Sequence, residues 1–168
     1  MSEATAGEWV LDPAGSSVEF LGKSFWGALP VRGTFGTVSG SGTVGADGAV
    51  SGQLVVDAGS LNTKMKMRDA HLRSADFFKV DKHPDITVTV SAATRNGSSL
   101  TCSGSVEAAG VSVPVTFSAT VESAGADAVV LRAVLPIQRS KFGMMWQQLP
   151  GMVKDAVQGT VTARFVRP

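Results

Sequence analysis

The sequence predicts an all-β fold, an antiparallel barrel or sandwich of about eight or nine strands. Apolar and polar residues alternate through most of the chain, most regularly over residues 111–122, where the odd positions are apolar. Short turns containing glycine separate the alternating segments and leave no room for a helical crossover between most of them. Successive strands joined in this way pair antiparallel, which favours a barrel or sandwich over a βαβ fold.

The alternating segments can be placed along the chain in order. They are residues 9–11, 16–24, 31–44, 49–56, 85–91, 99–108, 111–122, 128–137 and 159–166. Asn96-Gly97 is typical of a tight hairpin turn between two of them. Pro114 has no N–H to donate to a neighbouring strand, so it predicts a local edge or bulge.

Two segments interrupt the alternation and predict one or two short helices. Residues 65–78 combine spaced apolar residues with helix-forming lysine, arginine, aspartate and alanine. Residues 149–157 have Pro150 at a suitable first-turn position, although Gly151 weakens that helix. With 168 residues and no evident linker or repeat, the chain 1–168 is predicted to be a single domain.

Composition excludes several classes of function. The net charge is +1, from 15 basic and 14 acidic residues, which argues against nucleic-acid binding by phosphate neutralisation and against a polybasic membrane anchor. Cys102 is the single cysteine, so it forms neither an internal disulfide nor a thiolate metal cage. The first residues lack the pattern of a signal peptide, and no apolar stretch approaches about 20 residues. We therefore expect a cytoplasmic protein without stable membrane insertion.

The block 68–78 concentrates charge, a histidine and two adjacent aromatic residues. A hydrolase or isomerase could use Asp69, His71 and Ser74, but positions i and i+2 of a helix do not share a face, and no nucleophile elbow surrounds the serine. His71 and His83 with nearby acids match no metal-ligand spacing. A structural role is favoured, so we predict no catalytic residue and no metal site.

A barrel of about eight strands is either filled by its own side chains or hollow enough for one small ligand, and the sequence leaves both open. If it is hollow, the apolar phase of each strand should line it. The candidate pore-lining residues are Val18, Phe20, Phe35, Leu54, Val56, Ile86, Val88, Val90, Val113, Val115, Phe117, Leu131 and Leu135.

Several motifs together resemble the YceI-like family, often called polyisoprenoid-binding or lipid-binding proteins. Residues 9–13 with 16–20 are similar to the opening of the family, and residues 139–143 are similar to a later block. The central block 68–78 and the corner 83–86 are the segments that match the family most specifically. The resemblance implies a lipocalin-like antiparallel β-barrel of about eight strands whose interior holds an isoprenoid or similar amphiphilic chain. It also makes the central block a helical insert at one end of the barrel.

The function implied by this resemblance is non-enzymatic storage or transport of a long-chain isoprenoid or similar lipid. The implied partner is a hydrophobic small molecule, with no nucleic acid and no required cofactor; a quinone-like lipid fits the same interior, and a homodimer is compatible with the sequence. Candidates to contact a polar head group are Arg32, Arg68, His71 and Arg139. The competing hypotheses are the enzyme described above and an interaction module with a filled barrel.

Overall fold

An antiparallel sheet that closes on itself makes up most of the molecule. The computed structural model describes residues 6–24, 28–47, 49–144 and 154–168. The strands are β1 (Gly7–Leu11), β2 (Ser17–Ser24), β3 (Leu29–Phe35), β4 (Val38–Val44), β5 (Val50–Asp57), β6 (Leu61–Asn62), β7 (Asp85–Asn96), β8 (Ser99–Ala108), β9 (Val111–Ala124), β10 (Ala128–Gln138) and β11 (Ala156–Val166). Helix α1 is Lys66–Arg73, and 3-10 turns occupy Pro13–Gly15, Ala58–Ser60 and Arg139–Phe142.

Strand β1 closes the sheet because it pairs with β4 on one side and β11 on the other. The ring β1-β4-β5-β7-β8-β9-β10-β11 therefore contains eight strands. Strand β2 pairs with the first part of β11, and β3 joins β2 to the short β6. The predicted fold class, an antiparallel barrel of about eight strands with a short helix, is confirmed.

The two ends of the barrel are built differently. At one end, which we call the hairpin end, lie the β4–β5, β7–β8 and β9–β10 turns, the start of β1 and the end of β11. At the other, which we call the helix end, lie α1, the β8–β9 turn, the end of β10 and the start of β11. No helix in the described ranges combines the length and hydropathy needed to cross a membrane.

Apolar residues on and after α1 fill the helix end. Leu72 and Phe78 pack against both clusters of buried residues, one centred on β8, β9 and β10 and the other on β1, β4 and β5. The rings of Phe78 and Phe35 meet edge to face with centroids 6.0 Å apart, and Phe77 is buried. The central block is thus an insert at one end of the barrel, as the resemblance implied.

Hydrogen bonds fasten this insert to the segment before it. The buried carboxylate of Asp69 accepts from the Thr63 backbone N–H (2.9 Å) and from the Thr63 hydroxyl. Arg68 donates through Nε to Thr63 Oγ1 at 2.8 Å and through Nη2 to the Thr63 carbonyl at 2.9 Å. Arg73 donates to the carbonyls of Gly59 and Leu61. The charges of the block therefore hold α1 in place.

Several local predictions are confirmed. Asn96 pairs with Ser99 across a two-residue turn in which Gly97 has φ +63°. Pro114 lies in the part of β9 that pairs with β8 alone, since the β9–β10 ladder begins at Ser118. A strand edge therefore tolerates its missing N–H.

Two predicted boundaries need correction. The segment 31–44 is two strands rather than one, because Phe35 pairs with Leu61 of β6 whereas Val38 pairs with Val56 of β5. The chain bends between these partners. Of the predicted second helix, residues 149–153 lie outside the described residues, and its last two, Ala156 and Val157, begin β11 instead.

A β-bulge in β7 changes which residues face the interior. Val90 pairs with Gly104, and Ala92 pairs with the next partner residue, Ser103, so Ser91 is an extra residue in the ladder. A side chain at Gly104 would meet the Thr89 carbonyl, because an ideal Cβ there lies 1.7 Å from that oxygen. Glycine within a strand is typical of such a bulge and of close backbone approach.

We expect Gly104→Ala to destabilise the protein by about 1–3 kcal/mol or more, because the methyl group has no space beside the β7 backbone. Urea denaturation monitored by circular dichroism measures this. The matched control is Gly159→Ala in β11, where the nearest atom to a new Cβ lies at 3.8 Å. Equal stability of the two variants would contradict the close approach at the bulge.

Candidate ligand-binding cavity

An apolar cavity of about 410 Å³ lies inside the barrel. All eight strands of the ring contribute residues to its wall. Its volume falls in the range of small-molecule binding sites, about 300–1,000 Å³. The barrel is therefore hollow over part of its length, which answers the question that the sequence left open.

Small residues at inward positions create this space. Gly42 faces Gly52 across the β4–β5 ladder, and Ala133 faces Ala119 across the β9–β10 ladder, and all four line the cavity. Ala163 continues the same wall on β11. Because these positions carry at most one methyl group, side chains from opposite walls do not meet at the centre of the barrel.

The cavity occupies the half of the barrel nearer the hairpin end. On β10 its wall runs from Val129, close to the β9–β10 turn, to Leu135. These six residue steps cover about 20 Å of strand, or about 15 Å along the axis at the usual strand tilt of about 35–45°. Beyond Leu135 the interior is filled by the aromatic and aliphatic residues packed on α1.

The few polar groups on the wall are unevenly placed. Arg95, near the end of β7, is the one charged residue lining the cavity in the part of the chain that the structure describes. Its Nε donates to the Gly97 carbonyl at 2.8 Å, so the guanidinium lies beside the β7–β8 turn at the hairpin end. The sole thiol, Cys102, also lines the cavity and is buried, and burial raises its pKa above the ordinary value.

The structure divides the thirteen pore-lining candidates into two groups by their height in the barrel. Those on the cavity wall are Leu54, Val88, Val90, Phe117, Leu131 and Leu135. Those packed in the core outside that wall are Val18, Phe20, Phe35, Val56, Ile86, Val113 and Val115. Strand alternation gives the face on which a residue lies but not its distance from α1. Contact of any of them with a ligand stays a prediction.

Other wall residues were not among those candidates. Trp9, Leu100, Cys102 and Phe165 lie on segments whose alternation indicates an inward face, so that signal was present in the sequence.

Arg95 could not be found in this way. Counting by twos from Val88 and Val90 places position 95 on the outside, and the bulge at Ser91 reverses that phase.

None of the four head-group candidates lines the cavity. Arg32 and Arg68 border a separate cleft of about 530 Å³ formed by β2, β3, β11 and the start of α1. Outward-facing residues such as Glu19 and Thr160 border the same cleft, which places it on the outer surface of the barrel. These two arginines therefore lie outside the cavity, and their contact with a head group stays a prediction.

Arg139 has a structural environment. It is buried, and its Nε donates to the Lys154 carbonyl at 3.1 Å while its Nη1 donates to the Met144 carbonyl. Burial lowers its pKa, and the nearby Asp155 opposes that change. Asp155 in turn accepts from the backbone and hydroxyl of Ser140 at 2.7 and 2.8 Å. This network joins the residues just after β10 to those just before β11 at the helix end.

Each of the three residues named in the enzyme hypothesis makes a hydrogen bond within the central block or to the segment before it. Asp69 binds Thr63, whereas His71 Nε2 lies 3.0 Å from Asp76 Oδ2. The Ser74 hydroxyl donates to the His71 backbone carbonyl. The histidine ring also packs edge to face on Phe77, with centroids 5.1 Å apart. Ser74 thus contacts the backbone of His71 rather than its imidazole ring, and Asp69 contacts Thr63, which are contacts that serve the local fold.

Known proteins resemble this chain over most of its length. The sequence model of the YceI-like domain family matches residues 9–165. This chain belongs to the YceI-like family. Protein YceI of Salmonella arizonae is 30% identical over 132 residues, which is 74% of this chain and 66% of that protein, so the match covers slightly less than two thirds of the relative.

Solved structures of YceI-like and related proteins share the barrel. The crystal structure of Burkholderia cenocepacia BcnA superposes with a TM-score of 0.82 at 26% identity, covering 92% of this chain and 98% of BcnA. A polyisoprenoid binding domain from Saccharophagus degradans, implicated in plant cell wall breakdown, superposes with a TM-score of 0.76 at 18% identity, covering 98% of this chain and all (100%) of that domain. The second likeness concerns the fold alone.

We expect Cys102 to report on access to the cavity. Because burial raises the pKa of its thiol, a neutral thiol reagent should modify the folded protein far more slowly at pH 8 than the urea-unfolded protein, and the rate should rise towards higher pH. A saturating long-chain alcohol should slow the modification further by covering the wall. Mass spectrometry over time measures both effects. Equal rates in the folded and unfolded protein would contradict the buried position.

Proposed function

We propose that the protein binds a single-chain amphiphilic lipid, such as an isoprenoid, inside the barrel and stores or carries it without chemical change. The observation that carries this proposal is the apolar cavity whose small lining residues leave its centre empty. A site of this kind binds through contact area rather than through many directional bonds. The helix-end packing gives the cavity a floor, so a chain would enter from the hairpin end.

The energy available from such a cavity is sufficient for tight binding. Each buried methylene contributes about 0.8 kcal/mol, so ten to fifteen carbons, or two to three isoprenoid units, supply about 8–12 kcal/mol before costs. Association and ordering of the chain oppose this by about 4 kcal/mol or more. Binding of a hydrocarbon chain therefore does not depend on a large set of polar contacts.

The comparisons add support of a limited kind. The Saccharophagus degradans domain is described as polyisoprenoid binding, and this chain shares its barrel. What separates this proposal from simple analogy is the cavity of the chain itself, which is lined by its own glycine and alanine residues. The same comparison favours a non-enzymatic role, and the arrangement of Asp69, His71 and Ser74 agrees with it.

Organic-solvent extraction of the purified protein, followed by mass spectrometry, tests the proposed function directly. The expected result is a hydrophobic molecule recovered in a defined ratio to protein, or stoichiometric uptake when an isoprenoid alcohol or quinone is added. The absence of both recovery and uptake would contradict the proposal.

Activity retained by a His71→Ala variant in a hydrolase assay would separately remove the enzyme hypothesis for that residue.

We expect Ala133→Phe to abolish lipid uptake while the barrel remains folded, because the new ring would project into the empty centre of the cavity. The neighbouring residue supplies a matched control: Val134 is 37% exposed on the outer face, so Val134→Phe adds a similar ring outside the barrel. Uptake of a fluorescent fatty alcohol measures the difference, with thermal melting as the check on folding. Equal uptake by the two variants would contradict binding in this cavity.

A further inference from the structure

We propose that Arg95 binds the oxyanion head of the ligand at the mouth of the cavity, so that the preferred ligand is a single-chain lipid acid, either a carboxylate or a phosphate. This inference rests on the proposed function and specifies the chemical class of the ligand. It assigns a specific polar contact to a site whose wall is otherwise almost entirely apolar.

The bulge in β7 is what brings Arg95 to the wall. Arg95 pairs with Leu100, which is buried and lines the cavity, and the preceding inward residue, Ala93, pairs with Cys102, which also lines it. Directly paired residues of an antiparallel ladder project to the same face of the sheet. The side chain of Arg95 is therefore directed to the interior face. It lies next to the β7–β8 turn, at the hairpin end of the barrel.

The guanidinium is held in position but has donors left over. Its Nε is occupied by the Gly97 carbonyl of the adjacent turn, which fixes the plane of the group. No ion pair joins Arg95 to a carboxylate in the described part of the chain. Its two terminal nitrogens can make the paired hydrogen bonds with which arginine recognises carboxylate and phosphate oxygens.

The surroundings of Arg95 favour an anionic head over a neutral or cationic one. The residues beside Arg95 along the ladders, Leu100 of β8 and Ala119 of β9, are apolar and line the cavity, and a charged hydrogen bond is stronger beside apolar groups than in water. The floor of the cavity, around Leu54 and Leu135, offers no charged side chain in the described residues. A lipid acid would therefore bind with its head at the hairpin end and its chain towards α1.

The depth of the cavity limits how much of the chain is buried. A carbon–carbon bond of about 1.5 Å advances an extended chain by about 1.25 Å per carbon. The depth of about 15 Å, obtained from strand rise and tilt, thus accommodates about twelve carbons. A longer chain would have to fold back or leave part of its length outside.

The test compares three dodecyl compounds that differ in the head group: dodecanoic acid, dodecanol and dodecylamine. Affinities are measured by titration calorimetry at pH 7.5 on delipidated full-length protein, below the concentrations at which the probes form micelles. The wild type should bind the acid about tenfold or more tightly than the alcohol, and the amine weakest. Dodecyl phosphate in place of the acid distinguishes the two anionic heads.

Charge reversal at position 95 separates recognition from a structural role. Arg95→Glu should bind the amine more tightly than the acid while its affinity for the alcohol stays within about twofold of wild type, and Arg95→Lys should keep the preference for the acid. The matched control is Arg132→Glu, which reverses an exposed charge on the outer face of β10. It should retain the wild-type order.

A series of acids from eight to eighteen carbons tests the depth. Affinity should rise about fourfold per added methylene up to about twelve carbons and then level off. An unchanged acid-to-alcohol ratio in Arg95→Glu would overturn the assignment of Arg95 while leaving lipid binding intact. No binding of any dodecyl compound would overturn both this inference and the proposed function, so the two failures are distinguishable.

Discussion

The pairing of β1 with both β4 and β11 is the constraint on which the site depends. A sheet that closes has an inside, and each strand must then direct alternate residues into it. Closure also removes the exposed edges that an open sheet of this length would present. Without these two ladders, the apolar faces of β5, β10 and β11 would need another surface to cover them, and no enclosed cavity would exist.

Side-chain volume then decides where the closed barrel is hollow. Towards α1, Phe35 and Phe78 meet across the interior, and Leu72 joins both clusters of buried residues. Towards the hairpin end, Gly42, Ala133 and their partners leave the centre unfilled. The transition from filled to hollow lies within single strands, so the same alternating pattern produces both packing and binding surface.

The charged residues of the central block have a structural role, although they are the most unusual feature of the sequence. Asp69 and Arg68 both hydrogen-bond to Thr63. Arg73 donates to the carbonyls of Gly59 and Leu61. These bonds hold α1 and Phe78 against the end of the barrel. The block thus acts on the cavity indirectly. It holds the floor of the cavity in place and does not line its wall.

The sequence by itself determined most of the strands and turns, the inward phase of residues such as Leu54 and Leu131, and the family. Those features are local: period-two alternation and turn chemistry act between residues near one another in the chain. Only the tertiary structure decided the height of each inward residue, the division of the interior into filled and hollow halves, and the phase of β7 after Ser91. Register and closure fix these, since they depend on pairing between distant segments. Arg95 and Val115 show the consequence. Arg95 was not predicted to line the cavity and does so, whereas Val115 was predicted to line it and packs in the core instead.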